Sequence, residues 1–222
     1  MSEARLRDEL CRIGRSLHAR GYVHGTTGNL SARLADGAVL ITATDACLGE
    51  LSPGALVKVD AAGHAAAGAG QPSKTLALHR RIYATAAEAG CIVHTHSRAL
   101  VALSLTIPAH EDRDDLLAPI TPYFVMKVGH VPLLAYARPG DPAVADRVAA
   151  VIEHAERLGM PIRAVMLSRL GPNVWAGTPA AAMARLEELE ETARLWLEAD
   201  TKPAPLSPEQ IDELRRSFGA RW

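Results

Sequence analysis

Cys91-Ile92-Val93-His94-Thr95-His96-Ser97 reads as a buried strand that ends in two histidines and turns into a helix at Ser97. Successive strand side chains point to opposite faces, so His94 and His96 emerge together while Val93 and Thr95 face the other way. Two imidazoles in that register make a clamp suited to zinc, copper, nickel or iron. A catalytic zinc usually takes three protein ligands and keeps one position open. The same pattern also describes two half-buried histidines hydrogen-bonded at the end of a core strand. The apolar flank Cys91-Ile92-Val93 buries the strand and weights the reading toward metal.

The chain around this stretch has 222 residues, 48% of them hydrophobic, which supports one large domain with a sizeable core. Its 24 basic and 25 acidic side chains nearly cancel, so neither nucleic acid nor a membrane surface is indicated as a general partner. Cys11, Cys47 and Cys91 show no framework spacing, as in a protein with reduced thiols. No signal sequence precedes Met1-Ser2-Glu3-Ala4-Arg5 and no apolar run approaches a membrane span, so a soluble cytoplasmic protein is expected.

Leu6, Leu10, Ile13 and Leu17 recur at helical spacing and predict an amphipathic helix from Ala4 to about Arg20. Gly25-Thr26-Thr27-Gly28-Asn29-Leu30-Ser31-Ala32-Arg33 is a glycine loop entering a strand; its backbone donors, hydroxyls and amide suit an anion, or make an ordinary turn. Asp36-Gly37 turns the chain into a second strand, Val39-Leu40-Ile41-Thr42, followed by Thr44 and Asp45. Leu56 to Asp60 is a short strand and Gly63 to Gly70 a loop. Pro72-Ser73-Lys74-Thr75 opens a helix that carries His79, where Ser73 and Lys74 form either a second phosphate contact or a plain cap with a solvated lysine.

Taken in order, Gly28-Asn29-Leu30-Ser31-Ala32-Arg33, Ile41-Thr42-Ala43-Thr44, Pro72-Ser73 with His79, and His94-Thr95-His96-Ser97 resemble the class II aldolase/adducin family, up to about Ala199. Ile120 to Gly129 and Tyr136-Ala137-Arg138-Pro139-Gly140-Asp141-Pro142 are similar to its branch containing the 3-oxo-tetronate 4-phosphate decarboxylases. The resemblance implies a three-layer α/β/α domain with a largely antiparallel central sheet, assembled as a homotetramer with active sites between subunits. Local patterns agree: a strand-like Val128 to Tyr136, a helix from Asp141 to Ala155, a strand at Ala164-Val165-Met166-Leu167 and a long helix from Pro179 to Glu198. The family-like domain is expected over 1–200. Residues 201–222 form a linker, Lys202-Pro203-Ala204-Pro205, and a docking helix capped by Ser207-Pro208.

Carried over by resemblance, Gly28, Asn29, Thr44, Ser73 and Lys74 form a phosphate pocket, and His94 and His96 hold a divalent ion, Zn2+ first, with Mn2+ or Co2+ as the other choices. Three positions depart from the family. Thr75 stands where aldolases and epimerases place a carboxylate acid/base, Leu170 stands where a third metal histidine is expected, and Asp45 replaces a glycine. Retro-aldol cleavage needs a base, and a threonine hydroxyl is a poor one at neutral pH. Decarboxylation of a β-keto acid needs none; it requires a Lewis acid at the ketone oxygen and, later, a proton. The sequence offers His130 as a replacement third imidazole, with Asp45 or water as the alternative. His154 is a weaker choice, and His79 is placed behind the phosphate loop.

By the same resemblance, Tyr123 supplies a proton in a neighbouring subunit's site, or is a core aromatic with its hydroxyl at the surface. Arg138 meets a substrate carboxylate or pairs with Asp141, and His110 to Ala118 is a loop near the entrance. Arg215, Arg216 and Arg221 in the tail either help to hold an anion or form a solvated basic helix end. The reading favoured is a metal-dependent decarboxylase of a phosphorylated 3-oxo sugar acid. The alternatives are a sugar-phosphate aldolase or epimerase, and a non-catalytic adducin-like assembly module.

Overall fold

Alternation along the strands decides the architecture of the computed structural model, which describes residues 2–66 and 68–222. Met1, and Ala67 within the Gly63 to Gly70 loop, lie outside the described residues. In chain order the helices are α1 (Glu3–Ala19), α2 (Leu76–Thr85), α3 (Arg98–Leu105), α4 (Ala143–Arg157), α5 (Pro179–Glu198) and α6 (Pro208–Phe218). The strands are β1 (Asn29–Arg33), β2 (Val39–Ile41), β3 (Val57–Val59), β4 (Cys91–His94), β5 (Leu133–Leu134), β6 (Ala164–Leu167) and β7 (Gly171–Ala176). They form one sheet in the order β3-β2-β1-β4-β7-β6-β5. Every neighbouring pair is antiparallel except β5 with β6.

Leu30, Ala32, Cys91, Val93, Met166 and Val174 face one layer, where they pack with Leu10, Leu17, Leu100 and Leu186 of α1, α3 and α5. Ile41, Ile92, Val165 and Trp175 face the other, with Ile82 of α2 and Val148 and Ile152 of α4. This is the expected α/β/α arrangement. His94 follows Val93 by one residue and therefore stands on the face shared by α2 and α4.

The turn after His96 is held from the opposite layer. Glu190 of α5 is 7% exposed, and its two carboxylate oxygens accept from the N–H groups of Ala99 at 2.7 Å and Leu100 at 3.1 Å. These are free donors of the first turn of α3, where a negative charge is favoured. Glu190→Ala leaves them buried without partners. It is expected to cost about 2 kcal/mol in chemical denaturation; an unchanged midpoint contradicts this account of the turn.

One expected element is largely absent. The residue pattern predicts a strand over Val128 to Tyr136, but Phe124–Val128 forms a π-helical turn and only Leu133–Leu134 joins the sheet. Gly129 sits at φ 82°, and Pro132 has no N–H to give to a ladder. The tail packs over this region. Trp222 stacks on His130 with ring centroids 4.3 Å apart and meets Phe124 edge-on, Ile211 of α6 is buried, and Leu206 donates its N–H to the Pro119 carbonyl. Ser207 and Gln210 form a reciprocal capping box that starts α6.

Candidate active site

A cleft of about 390 Å³ opens where the ends of β1, β4 and β7 meet the start of α2 and the segment before α4. Gly28, Asn29, Thr44, Ser73, Lys74, Thr75, His94 and His96 all line it. The cleft thus gathers eight of the ten residues proposed from sequence. Close approach explains the glycine: Gly28 adopts φ 79°, and a Cβ there would come within 2.9 Å of the His94 carbonyl oxygen.

His94 is 5% exposed, and its Nδ1 lies 2.9 Å from the Pro172 carbonyl oxygen. That carbonyl can only accept, so the proton sits on Nδ1 and Nε2 keeps its lone pair. Burial, with a smaller contribution from His96, pulls the His94 pKa down to about 4 against the opposing Pro172 bond. Burial and then His24 lower that of His96. Both rings are therefore neutral near pH 7, as metal ligands must be. Their centroids are 5.2 Å apart. With zinc–nitrogen bonds near 2.1 Å, two imidazoles on one tetrahedral ion are separated by about 5 Å, so the pair fits a shared ion.

Among the described residues no group of three His, Cys, Asp or Glu side chains is placed to hold a metal. His130 is corrected here: its Nδ1 lies 2.7 Å from Asp115 Oδ2 and its ring is stacked on Trp222, outside the cleft lining. The non-strand backbone at Gly129 turns it toward the tail. Asp45 lines the cleft at φ 58°, a left-handed conformation that explains why a glycine suits this position in the family and that aspartate tolerates. Leu170 lines the cleft as well but offers no lone pair.

Hydroxyls surround Asn29 in the cleft. Thr75 Oγ1 donates to Asn29 Oδ1 at 2.9 Å and lies 3.0 Å from Ser73 Oγ. With its oxygen engaged, the Asn29 carboxamide keeps its two N–H donors for a ligand. Thr44 donates its hydroxyl to the Pro72 carbonyl at 2.8 Å. Lys74 and Arg138 are exposed cleft cations that form no ion pair among the described residues, and the Asp141 carboxylate accepts from the Ala143 N–H. Tyr123 is 62% exposed and outside its own chain's cleft. The His110 to Ala118 segment is likewise absent from the lining; its Asp112 and Asp115 hold Ala135 and His130.

His79 lies behind the loop, with Nδ1 2.7 Å from Ser31 Oγ, which also meets the Tyr83 hydroxyl at 2.7 Å. Burial pushes its pKa down to about 3, below the 6.5 of an exposed histidine. Above pH 6.5 neither the folded nor the unfolded chain protonates this ring and its full contribution to stability is present. As pH falls toward 3 the unfolded chain takes up a proton that the native chain refuses, and stability drops by up to about 1.4 kcal/mol per pH unit. The denaturation midpoint of metal-free protein is therefore expected to fall below pH 6.5, with a shallower slope in His79→Gln. Equal slopes in the two proteins contradict this.

The sequence profile of the Class II Aldolase and Adducin N-terminal domain matches residues 8–197. The chain belongs to this family. It is similar to the 3-oxo-tetronate 4-phosphate decarboxylase of Cupriavidus necator, 52% identical with 100% of this chain and 99% of the relative covered. It is also similar to the protein of that name from Escherichia coli K12, 39% identical over 96% of each chain. Among solved structures, the putative aldolase/epimerase/decarboxylase YgbL of Klebsiella pneumoniae matches with TM-score 0.85 and 38% identity, covering 97% of this chain and 100% of that one. These relatives place the chain in the class II aldolase family beside its decarboxylase-named branch. Asn173 belongs to the same cleft, though it is not among the site residues expected from the sequence. The signal that could have found it is parity: it is two residues from Trp175 on one strand.

Proposed function

We propose that the cleft decarboxylates a phosphorylated 3-oxo sugar acid of the 3-oxo-tetronate 4-phosphate type, giving dihydroxyacetone phosphate and carbon dioxide. The observation that carries this reading is the hydrogen bond from Thr75 to Asn29. It commits the residue at the family's acid/base position to orienting an anion-binding amide, and leaves no carboxylate there to deprotonate a hydroxyl. The names of the relatives point to the same reaction.

The substrate phosphate lies against Gly28, the Asn29 amide, Thr44, Ser73 and the Lys74 ammonium, at the N-terminal end of α2. The ketone oxygen points to His94 and His96. A divalent ion held there, Zn2+ first and Mn2+ or Co2+ next, supplies a Lewis acid for that oxygen. Arg138, which has no carboxylate partner among the described residues, receives the substrate carboxylate. The C1–C2 bond then breaks, carbon dioxide leaves, and the bonding pair remains on C2 conjugated with the former ketone. A proton added to C2 completes dihydroxyacetone phosphate. Tyr123 of the partner subunit delivers it in a homotetramer with shared active sites; the 62% exposure of Tyr123, outside its own chain's cleft, supports that role.

No helix among the described residues is long and apolar enough to cross a membrane, and three unpaired cysteines support a reducing, cytoplasmic setting. The incomplete ligand set favours one rival, a non-catalytic assembly module. Incubation with 3-oxo-tetronate 4-phosphate separates the readings. Carbon dioxide and dihydroxyacetone phosphate in equal amounts are the expected result. Reversible addition of dihydroxyacetone phosphate to an aldehyde would indicate an aldolase instead, and inertness in both assays would leave only assembly.

A further inference from the structure

Asn173 of β7 is the cross-strand partner of His94 in β4, so their side chains stand side by side on the sheet face that forms the cleft. Asn173 is 0% exposed, and among the described residues neither its Oδ1 nor its Nδ2 has a hydrogen-bond partner. A buried carboxamide with both ends unpaired costs stability and demands an explanation. Nearby Leu167 and Leu170 are apolar, so the same wall could have been built without it. Three residues before Asn173, Leu170 stands where the resemblance implies a third metal histidine. A carboxamide oxygen is a neutral hard donor of the kind that divalent ions accept alongside imidazole.

We infer that the Asn173 carboxamide oxygen is the third protein ligand of the divalent ion held by His94 and His96, replacing the donor lost at Leu170. This inference rests on the metal-dependent reading given above. His24 is the rival: its exposed ring has its centroid 6.4 Å from that of His96, farther than the 5.2 Å between His94 and His96. Asn173 needs no such approach from the surface, because the sheet register already sets it beside His94.

The test is a chelator-competition titration of Zn2+, with the visible spectrum of the Co2+ form as a second readout. Asn173→Leu, close in volume, is expected to weaken Zn2+ binding by about tenfold or more and to change the Co2+ bands. The same substitution should leave the thermal midpoint of the metal-free protein unchanged or raised, since it removes an unsatisfied polar group. Asn173→Asp should bind at least as tightly as the wild type, and adding Leu170→His to Asn173→Leu should restore affinity. Unchanged Zn2+ affinity in Asn173→Leu overturns the inference, as does a loss seen in His24→Ala instead. Failure of the wild-type protein to bind Zn2+ would overturn the underlying metal reading, and would be visible before any variant is made.

Discussion

His94→Ala is expected to abolish tight binding of the divalent ion and to lower the decarboxylation rate by about 10³-fold or more. The magnitude follows from the Lewis acid's contribution of several kcal/mol at about 1.4 kcal/mol per decade of rate. His94 carries this weight because the sheet fixes it. Its Nδ1 is bonded to the Pro172 carbonyl, so only Nε2 is open to the cleft, and burial keeps the ring neutral. The folded state of the variant is checked by circular dichroism, and ion content by elemental analysis. Retained activity with full ion occupancy would remove His94 from the centre of the mechanism. Equivalent loss in His96→Ala is expected, since the 5.2 Å ring separation makes the two a pair.

Asn29→Asp should raise KM by about 100-fold with a smaller change in kcat. In the wild type the Asn29 oxygen accepts from Thr75, which turns the amide donors to the cleft. An aspartate keeps the acceptor but replaces those donors with negative charge facing a phosphate. Loss of a hydrogen bond to a charged group costs about 1.5–3 kcal/mol before repulsion is added. The KM change should be smallest for a substrate lacking the phosphate, which separates phosphate recognition from a general disturbance. An equal effect on phosphorylated and unphosphorylated substrates contradicts the assignment.

Much of this was legible in the residues because the signals were local. Pro179 to Glu198 and Ser207-Pro208 gave helix limits directly, through caps and helical spacing, and the structure keeps them. Gly28, Asn29, Thr44, Ser73 and Lys74, which the resemblance groups together, line one cleft. What escaped depended on partners distant in sequence. His130 was expected beside the metal pair because Val128 to Tyr136 looked strand-like, but the backbone turns at Gly129 and the tail supplies Trp222 to stack on the ring. Asn173 escaped because its burial arises only when β7 pairs with β4 and sets it opposite His94. Thr75 was recognised as a missing base; its bond to Asn29, across 46 positions of chain, could not be read from its neighbours.

The most direct test of the account is release of carbon dioxide from 3-oxo-tetronate 4-phosphate by protein stripped of metal and then reconstituted. The account predicts no release after chelation and recovery when Zn2+, Mn2+ or Co2+ is returned, with one dihydroxyacetone phosphate formed per carbon dioxide. Full activity in the metal-free protein, or no carbon dioxide from a reconstituted protein carrying its ion, would contradict it.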